Sequence, residues 1–554
     1  MQATFTGYVG RTEWRWVTIV SALTLFAMLL PYLVVTAQAP DQTFMGVLHK
    51  YEDGAAYLSK MDQGANGNWL TFFQHTPEPH ASALIHPLYM LLGHLTRLSF
   101  FPPLLVFHGA RVLATLVMFS AIYQLGANIW VKLRARRIFF VLAVFGSGFG
   151  WIIVLLSSGD LVSPDVNMPH MYPLYAAMVS IHYPLSIAFQ AMIASVFIAV
   201  FRPGFTSEPT VDNGGTVIFL GGVVLAFLFQ EALLPIIIAV IGSVLARWVL
   251  DRKVKAFELR WAMWLIVPIF PIAAYYTTTI QSNLAVGFWL SQRPSALPSL
   301  VLTLLGLGLP LVLSIPGLAR ALRRFEEDGD RFMLLWLFAM VVSYFVASSG
   351  RVQYLAGIMI PIAYFATRAI EDYWFKQIFS RRIHQQRIYI ALFPIVILTN
   401  LFVLFLPVSG VMVGERVESF LPNDYVDTFH YLNTISQPNE VVMAAPVIGT
   451  WLPAYTDLRS YYGHPAETLH AAQRRSEVMA FYRAQSQAAC SFVQDASLFR
   501  SNGFVVQYVL YGPEEARFGQ PPCLEDLTLL TRIGDVQVYT TQFVDMASEP
   551  IESP

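Results

Sequence analysis

The sequence predicts a mainly α-helical, polytopic membrane bundle of about eleven transmembrane helices, followed by a small C-terminal exterior α/β domain. Three observations carry that expectation. The chain of 554 residues is 55% hydrophobic and 13% charged, about half the charge of a soluble domain. Apolar runs of bilayer-spanning length recur as far as residue 407. Beyond them the pattern changes to short β-branched runs bounded by turn residues. The net charge of −1, with basic residues confined to short loops, points away from nucleic acid as a partner.

The first apolar run, "VTIVSALTLFAMLLPYLVVTAQA", follows a charged start and ends on small residues, so it mimics a cleavable signal. Its full spanning length favours an uncleaved first helix. Runs near 15–38, 104–128, 138–158, 176–201, 216–230 and 232–250 then continue through 261–280, 297–318, 332–349, 352–370 and 388–407. The stretch 84–99, "LIHPLYMLLGHLTRLS", is shorter and carries two histidines and an arginine, which suits an interfacial helix.

The basic clusters "KLRARR" (132–137), "RWVLDRKVKAFELR" (247–260), "RALRRFEEDGDR" (320–331) and "KQIFSRRIHQQR" (376–387) set the topology. All four fall on the cytoplasmic side, together with Arg11 and Arg15, when 84–99 is left outside the membrane. The expected organisation is a membrane module over 1–407, N-terminus in, within an inner or plasma membrane. It includes a first exterior loop at 39–103 with juxtamembrane helices, and an exterior domain follows at 408–554. In that domain 440–447, 504–512 and 536–541 read as strands and 467–489 as a helix. Its two cysteines, Cys490 and Cys523, suit either a disulfide or two buried thiols.

The spans are nearly free of charge; Arg111 and Glu231 are the clearest ionisable residues near them, and both map towards the exterior end. Such scarcity argues against ion-coupled transport. Charged groups and histidines collect instead on the exterior face. In "YEDGAAYLSKMDQGANGNW" (51–69), Asp53 reads either as a helix N-cap or as a functional acid, with Tyr57 one turn below. Glu78 reads as a loop carboxylate, and His75, Glu78 and His80 have spacing compatible with a metal, which leaves a divalent ion open. Arg351, alone at the exterior end of a hairpin between two spans, needs an anion, and a lipid phosphate is the nearest one.

An acidic pair just beyond the first span, in a long exterior loop, resembles the GT-C class of integral membrane glycosyltransferases. The resemblance extends through "TPEPH", "HPLYMLLGHLTRL", "FHGARVLATLVMF", "IHYPLSIA" (181–188), "YYGHPAET" (461–468) and "YVLYGPEE" (508–515). It implies transfer of a sugar from a polyprenyl-phosphate donor to a hydroxyl on a glycan, lipid or protein acceptor, with inversion. Asp53 would be the general base and Glu52 its helper. Many relatives carry Asp before Glu, whereas here the order is reversed, and the Asp53-to-Tyr57 spacing favours Asp53. Arg351, Arg293 and His182 are then the candidates for the donor phosphate; Tyr57, Glu78, His80 and Asp165 are those for substrate binding. A carrier for a lipid-linked saccharide is the alternative reading, and would call for charged cavities along the spans and internal repeats.

Overall fold

The computed structural model describes residues 7–37, 42–201, 213–252, 254–292, 299–326, 329–378, 382–412, 418–484 and 503–541. Its chain divides into two compact units: 1–35, 107–277 and 294–415 form one; 36–106, 278–293 and 416–554 form the other. Cys490 and Arg293 lie outside the described residues.

The first unit is helical. Among the described residues, eight helices are long and apolar enough to cross a membrane, from Arg11–Ala37 to Phe393–Gly410. The runs predicted at 216–230, 332–349 and 352–370 are helices too, but shorter. Gly214–Leu228 has 15 residues, Asp330–Val346 has 17 and Met359–Ala369 has 11. The last of these runs on into a π-helical stretch, Ile370–Ile378, so the helical path is longer than its α-helical part. Residues such as Phe119, Tyr123, Phe140, Trp336 and Tyr364 fill the buried centre.

Charge in this unit is paired. Glu13 accepts from Arg136 (3.0 Å), Glu258 from Arg247 (2.5 Å) and Asp251 from Arg331 (2.8 Å). Asp330 takes Arg320 and the Tyr364 hydroxyl. Each pair involves a basic cluster that the sequence places at a span end. Low-dielectric surroundings make an unpaired charge there expensive, so the clusters at 132–137, 247–260 and 320–331 each fold with an acid.

The second unit is α/β. Its sheet contains β3 (Val441–Met443), β4 (Arg459–Ser460), β5 (Val506–Tyr511), β6 (Thr528–Ile533) and β7 (Val536–Thr540), in the order β4-β3-β5-β7-β6. Strand β3 runs parallel to β4 and β5; β5 and β6 are antiparallel to β7. A separate ladder pairs β1 (Gln42–Phe44) with β2 (Phe420–Pro422), tying the first loop to the tail. The strand expected at 440–447 stops at Met443, because Pro446 pre-sets the first turn of the Pro446–Tyr455 helix. The helix expected at 467–489 covers Ala471–Tyr482 within the described residues.

Two helices of this unit carry and support the acidic pair at 52–53. Tyr51–Ala65 packs on Pro87–Ser99, the 84–99 stretch, which has 13 residues and is not among the eight candidate spans. Leu91, Leu95 and Leu98 stand exposed along one face of the latter, while Tyr89, Met90, Gly93 and Thr96 are buried on the other. The two backbones meet at Gly64 and Gly93. A Cβ at Gly93 would lie 2.1 Å from the Met61 carbonyl oxygen and 2.8 Å from Gly64 Cα.

Backbone cannot retreat as a side chain can, so Gly93→Ala must force the helices apart. We expect a loss of about 2 kcal/mol or more in unfolding free energy, read as a lowered Tm. An unchanged Tm would show that the helices do not meet there.

Candidate functional site

The Tyr51–Ala65 helix begins directly after Lys50, whose backbone is left-handed (φ 54°). The residue in the capping position is therefore Lys50, and the N-cap reading of Asp53 does not hold. Glu52 and Asp53 are instead the second and third residues of the helix. There the free N–H groups and the helix dipole favour negative charge. Asp53 keeps 43% of its side chain exposed, and its Oδ1 lies 3.6 Å from Nε2 of the buried His464. That is an ion-pair separation rather than a hydrogen bond.

The orientation of His464 is set by its other nitrogen. Nδ1 accepts from the backbone N–H groups of Ala466 (3.0 Å) and Glu467 (3.1 Å). A nitrogen that accepts two hydrogen bonds carries no proton, so in the neutral ring the proton sits on Nε2, facing Asp53. Burial works against charging the imidazole and the carboxylates of Asp53 and Glu467 favour it, while the two amides on Nδ1 occupy the nitrogen that would take the second proton and so hold the ring neutral.

Beneath His464 is a buried ionic layer. Glu467 Oε1 accepts from Lys60 Nζ at 2.6 Å, and its Oε2 lies 3.5 Å from His75 Nδ1. Lys60 also donates to the Ala56 carbonyl, one turn back on its own helix (3.2 Å). Burial alone would raise the Glu467 pKa; Lys60, His75 and His464 hold it well below the usual carboxylate range. Burial pushes His75 down, partly offset by Glu467. Thr468 completes the turn. Its hydroxyl donates to the His75 carbonyl (2.5 Å) and accepts from the Gly463 and His464 amides. Gly463 permits this approach, since a Cβ would come within 2.8 Å of the His75 ring.

Around Asp53, burial pushes Glu52 up, so it holds a proton to higher pH than an ordinary carboxylate. Exposed Arg475 lies near enough to oppose that rise, and acts in the same direction on Tyr462. The mouth of the site thus combines two acids, a histidine, a tyrosine and a cation.

The other candidates from sequence have different surroundings. Tyr57 is buried and stacks on Tyr89, with ring centroids 4.2 Å apart. Glu78 Oε1 accepts from Arg474 through Nε (2.9 Å) and Nη2 (2.7 Å), and Thr76 donates to Oε2. Both nitrogens of His80 are engaged within its own loop: one contacts the Glu78 carbonyl at 2.9 Å and the other accepts from the Phe73 N–H at 3.0 Å.

The remaining candidates belong to the first unit. Asp165 is fully buried and accepts from the Gly148 and Gly150 amides, both at 3.0 Å, clamping the "GSGFG" turn; burial raises its pKa. Arg351 opens a short 3-10 turn and donates to the Phe345 carbonyl (2.9 Å). His182 starts the His182–Val200 helix, with its ring against Tyr183.

Sequence reasoning did not assign roles to Lys60, His464 or Glu467. The string "YYGHPAET" pointed to their neighbourhood, and a lysine inside an otherwise apolar helical stretch is a second signal. Among the described residues, no group of three His, Cys, Asp or Glu side chains is arranged to hold a metal ion.

No protein-family model matches the sequence, and no curated protein does. Solved structures share its fold. ArnT from Cupriavidus metallidurans, in the apo state, superposes with a TM-score of 0.52 and 12% identity, over 96% of this chain and 98% of its own. The archaeal oligosaccharyltransferase AglB from Archaeoglobus fulgidus, in complex with an inhibitory peptide and a dolichol-phosphate, gives a TM-score of 0.51 and 12% identity, over 95% of this chain and 75% of its own. The chain has a GT-C-like fold: a polytopic helical bundle with a C-terminal domain.

The ionic layer makes a prediction. Lys60→Met leaves Glu467 buried without its cation and should cost about 3–5 kcal/mol, whereas adding Glu467→Leu should recover most of the loss. Glu467 has a lowered pKa in the folded state and an ordinary one when unfolded. Its stabilisation is therefore complete above the ordinary carboxylate range and lost as pH falls through the lowered value. Melting curves at neutral and acid pH check both points; a double variant no more stable than Lys60→Met would contradict the pairing.

Proposed function

We propose that this protein is an integral membrane glycosyltransferase. In this reading it moves a sugar from a polyprenyl-phosphate donor to an acceptor hydroxyl on the exterior face of an inner or plasma membrane. The observation that carries the reading is the half-exposed Asp53 carboxylate, oriented by His464 on a buried ionic base, within a GT-C-like fold.

Asp53 accepts the proton of the acceptor hydroxyl as that oxygen bonds to the anomeric carbon. The bond from that carbon to the phosphate oxygen breaks, and the polyprenyl phosphate leaves with the electron pair. Attack opposite the leaving group inverts the centre. His464 acts through Asp53 as a positioning residue, presenting its Nε2–H towards one carboxylate oxygen. Glu52 is the helper acid beside Asp53, and burial raises its pKa above that of an ordinary carboxylate. For the charge developing on the leaving phosphate, Arg351 is our first choice, with Arg293 and His182 behind it. Tyr57, Glu78, His80 and Asp165 support the substrate-binding surface through the packing and hydrogen bonds described above. The acceptor is a glycan, lipid or protein hydroxyl, and the scheme is compatible with a divalent ion at the leaving phosphate.

Reconstitution in vesicles with polyprenyl-phosphate sugars tests the proposal. Asp53→Asn should lower transfer by roughly a hundredfold or more while leaving the fold intact. Full activity would remove Asp53 as the base, and movement of the sugar lipid across the vesicle without transfer would favour a carrier.

His464→Ala should lower kcat about tenfold and move the acid limb of the pH–rate profile upward, because the carboxylate loses the N–H that faces it. His464→Gln, which retains an amide donor, should recover part of that rate. A lowered Tm with an unchanged pH profile would leave His464 only a structural role.

A further inference from the structure

The basic run "KLRARR" has an unequal distribution of partners. Arg134 makes a bidentate pair with Glu371, through Nε at 2.7 Å and Nη2 at 2.8 Å, and Lys132 stands 3.6 Å from the same carboxylate. Arg136 is buried against Glu13 and also donates to the Trp130 and Tyr8 carbonyls. Arg137 differs. Among the described residues it has no carboxylate partner; its guanidinium lies over the Trp16 ring, 5.0 Å from the centroid. Its Nε is buried with no hydrogen-bond acceptor.

Arg137 lines a crevice of about 560 Å³ in the first unit, a volume within the range of small-molecule sites. Arg134, held by Glu371, stands on the same wall, and the rest of the lining is apolar, with Ile138, Val141 and Leu142 from one helix and Phe393 and Val396 from another. Both helices are candidate membrane spans, so these walls belong to segments that lie among acyl chains. A guanidinium on a crevice wall with no carboxylate partner calls for an anion, and a phosphate matches its fork of donors better than water does.

We propose that this crevice binds one anionic membrane phospholipid. The lipid phosphate accepts from Arg137, and an acyl chain lies against Ile138, Val141 and Phe393. Of the two arginines that line the crevice, Arg134 is already neutralised by Glu371, so the uncompensated charge on its wall is that of Arg137, and it selects an anionic headgroup over a zwitterionic one. The apolar walls select a lipid over a soluble phosphate. This site is independent of the glycosyl-transfer reading and would stand if that reading failed.

Native mass spectrometry of the full chain, released from phosphatidylcholine nanodiscs doped with phosphatidylglycerol, tests the site. The expected result is one phosphatidylglycerol retained in preference to phosphatidylcholine. Arg137→Gln should lower that retention about fivefold, the effect of one basic residue at an anionic lipid. Val141→Trp fills the crevice without altering charge and should abolish retention; its Tm confirms that the variant is folded. Equal retention of the two lipids by the wild type would overturn the proposal, as would undiminished phosphatidylglycerol binding in Arg137→Gln. Displacement of the lipid by inorganic phosphate alone would assign the site to a soluble anion instead.

Discussion

Two opposite charges, Lys60 and Glu467, are buried 2.6 Å apart although 407 residues separate them in the chain. Removing both from water costs several kcal/mol each, and the cost is offset only while the pair stays together with its further hydrogen bonds. The arrangement therefore locks the Tyr51–Ala65 helix to the turn at 463–468. His464 belongs to that turn, and its ring is held by the amides of Ala466 and of Glu467 itself. Asp53, two helical turns from Lys60, receives its partner through this chain of constraints. The ionic pair contacts no substrate in our reading, yet it defines where the reactive carboxylate stands.

The two units handle charge differently. In the first, most basic residues near span ends meet an acid: Arg136 with Glu13, Arg247 with Glu258, Arg320 and Arg368 with Asp330. Among the described residues Arg137 has no such acid, and it lines a crevice. In the second unit, acids are either consumed by a cation, as Glu78 is by Arg474, or left at the mouth of the site, as Asp53 and Glu52 are. A carboxylate that is half exposed and ordered by a histidine is better suited to proton transfer than one saturated by arginine. That contrast separates Asp53 from Glu78, which look alike as loop or helix-end acids in sequence.

Polar residues in the loops between helices invite functional readings, but several here have local structural tasks. Asp165 satisfies two glycine amides in a tight turn, and His80 satisfies a carbonyl and an amide of its own loop. Backbone groups in buried turns must find partners, and side chains supply them where helix or sheet cannot. Nothing in the spacing of Asp165 or His80 distinguishes such a task from catalysis.

The class of fold was legible because bilayer-spanning apolar runs and a switch to β-branched segments are local patterns, dictated by burial in lipid and by strand alternation. A short amphipathic helix within 84–99 was legible for the same reason: its length falls short of a span while its leucines recur along one face. Strand β6 was not, because "TLLTRI" shows no alternation between buried and exposed residues. The acidic pair at 52–53 could be picked out from sequence, but its partner could not. His464, Glu467 and Lys60 meet through tertiary folding across some four hundred residues, and no local periodicity encodes a contact of that separation. Sequence determined where an acid would be available; only the packing of the tail on the first loop decided which acid is exposed, which is neutralised and which faces a histidine.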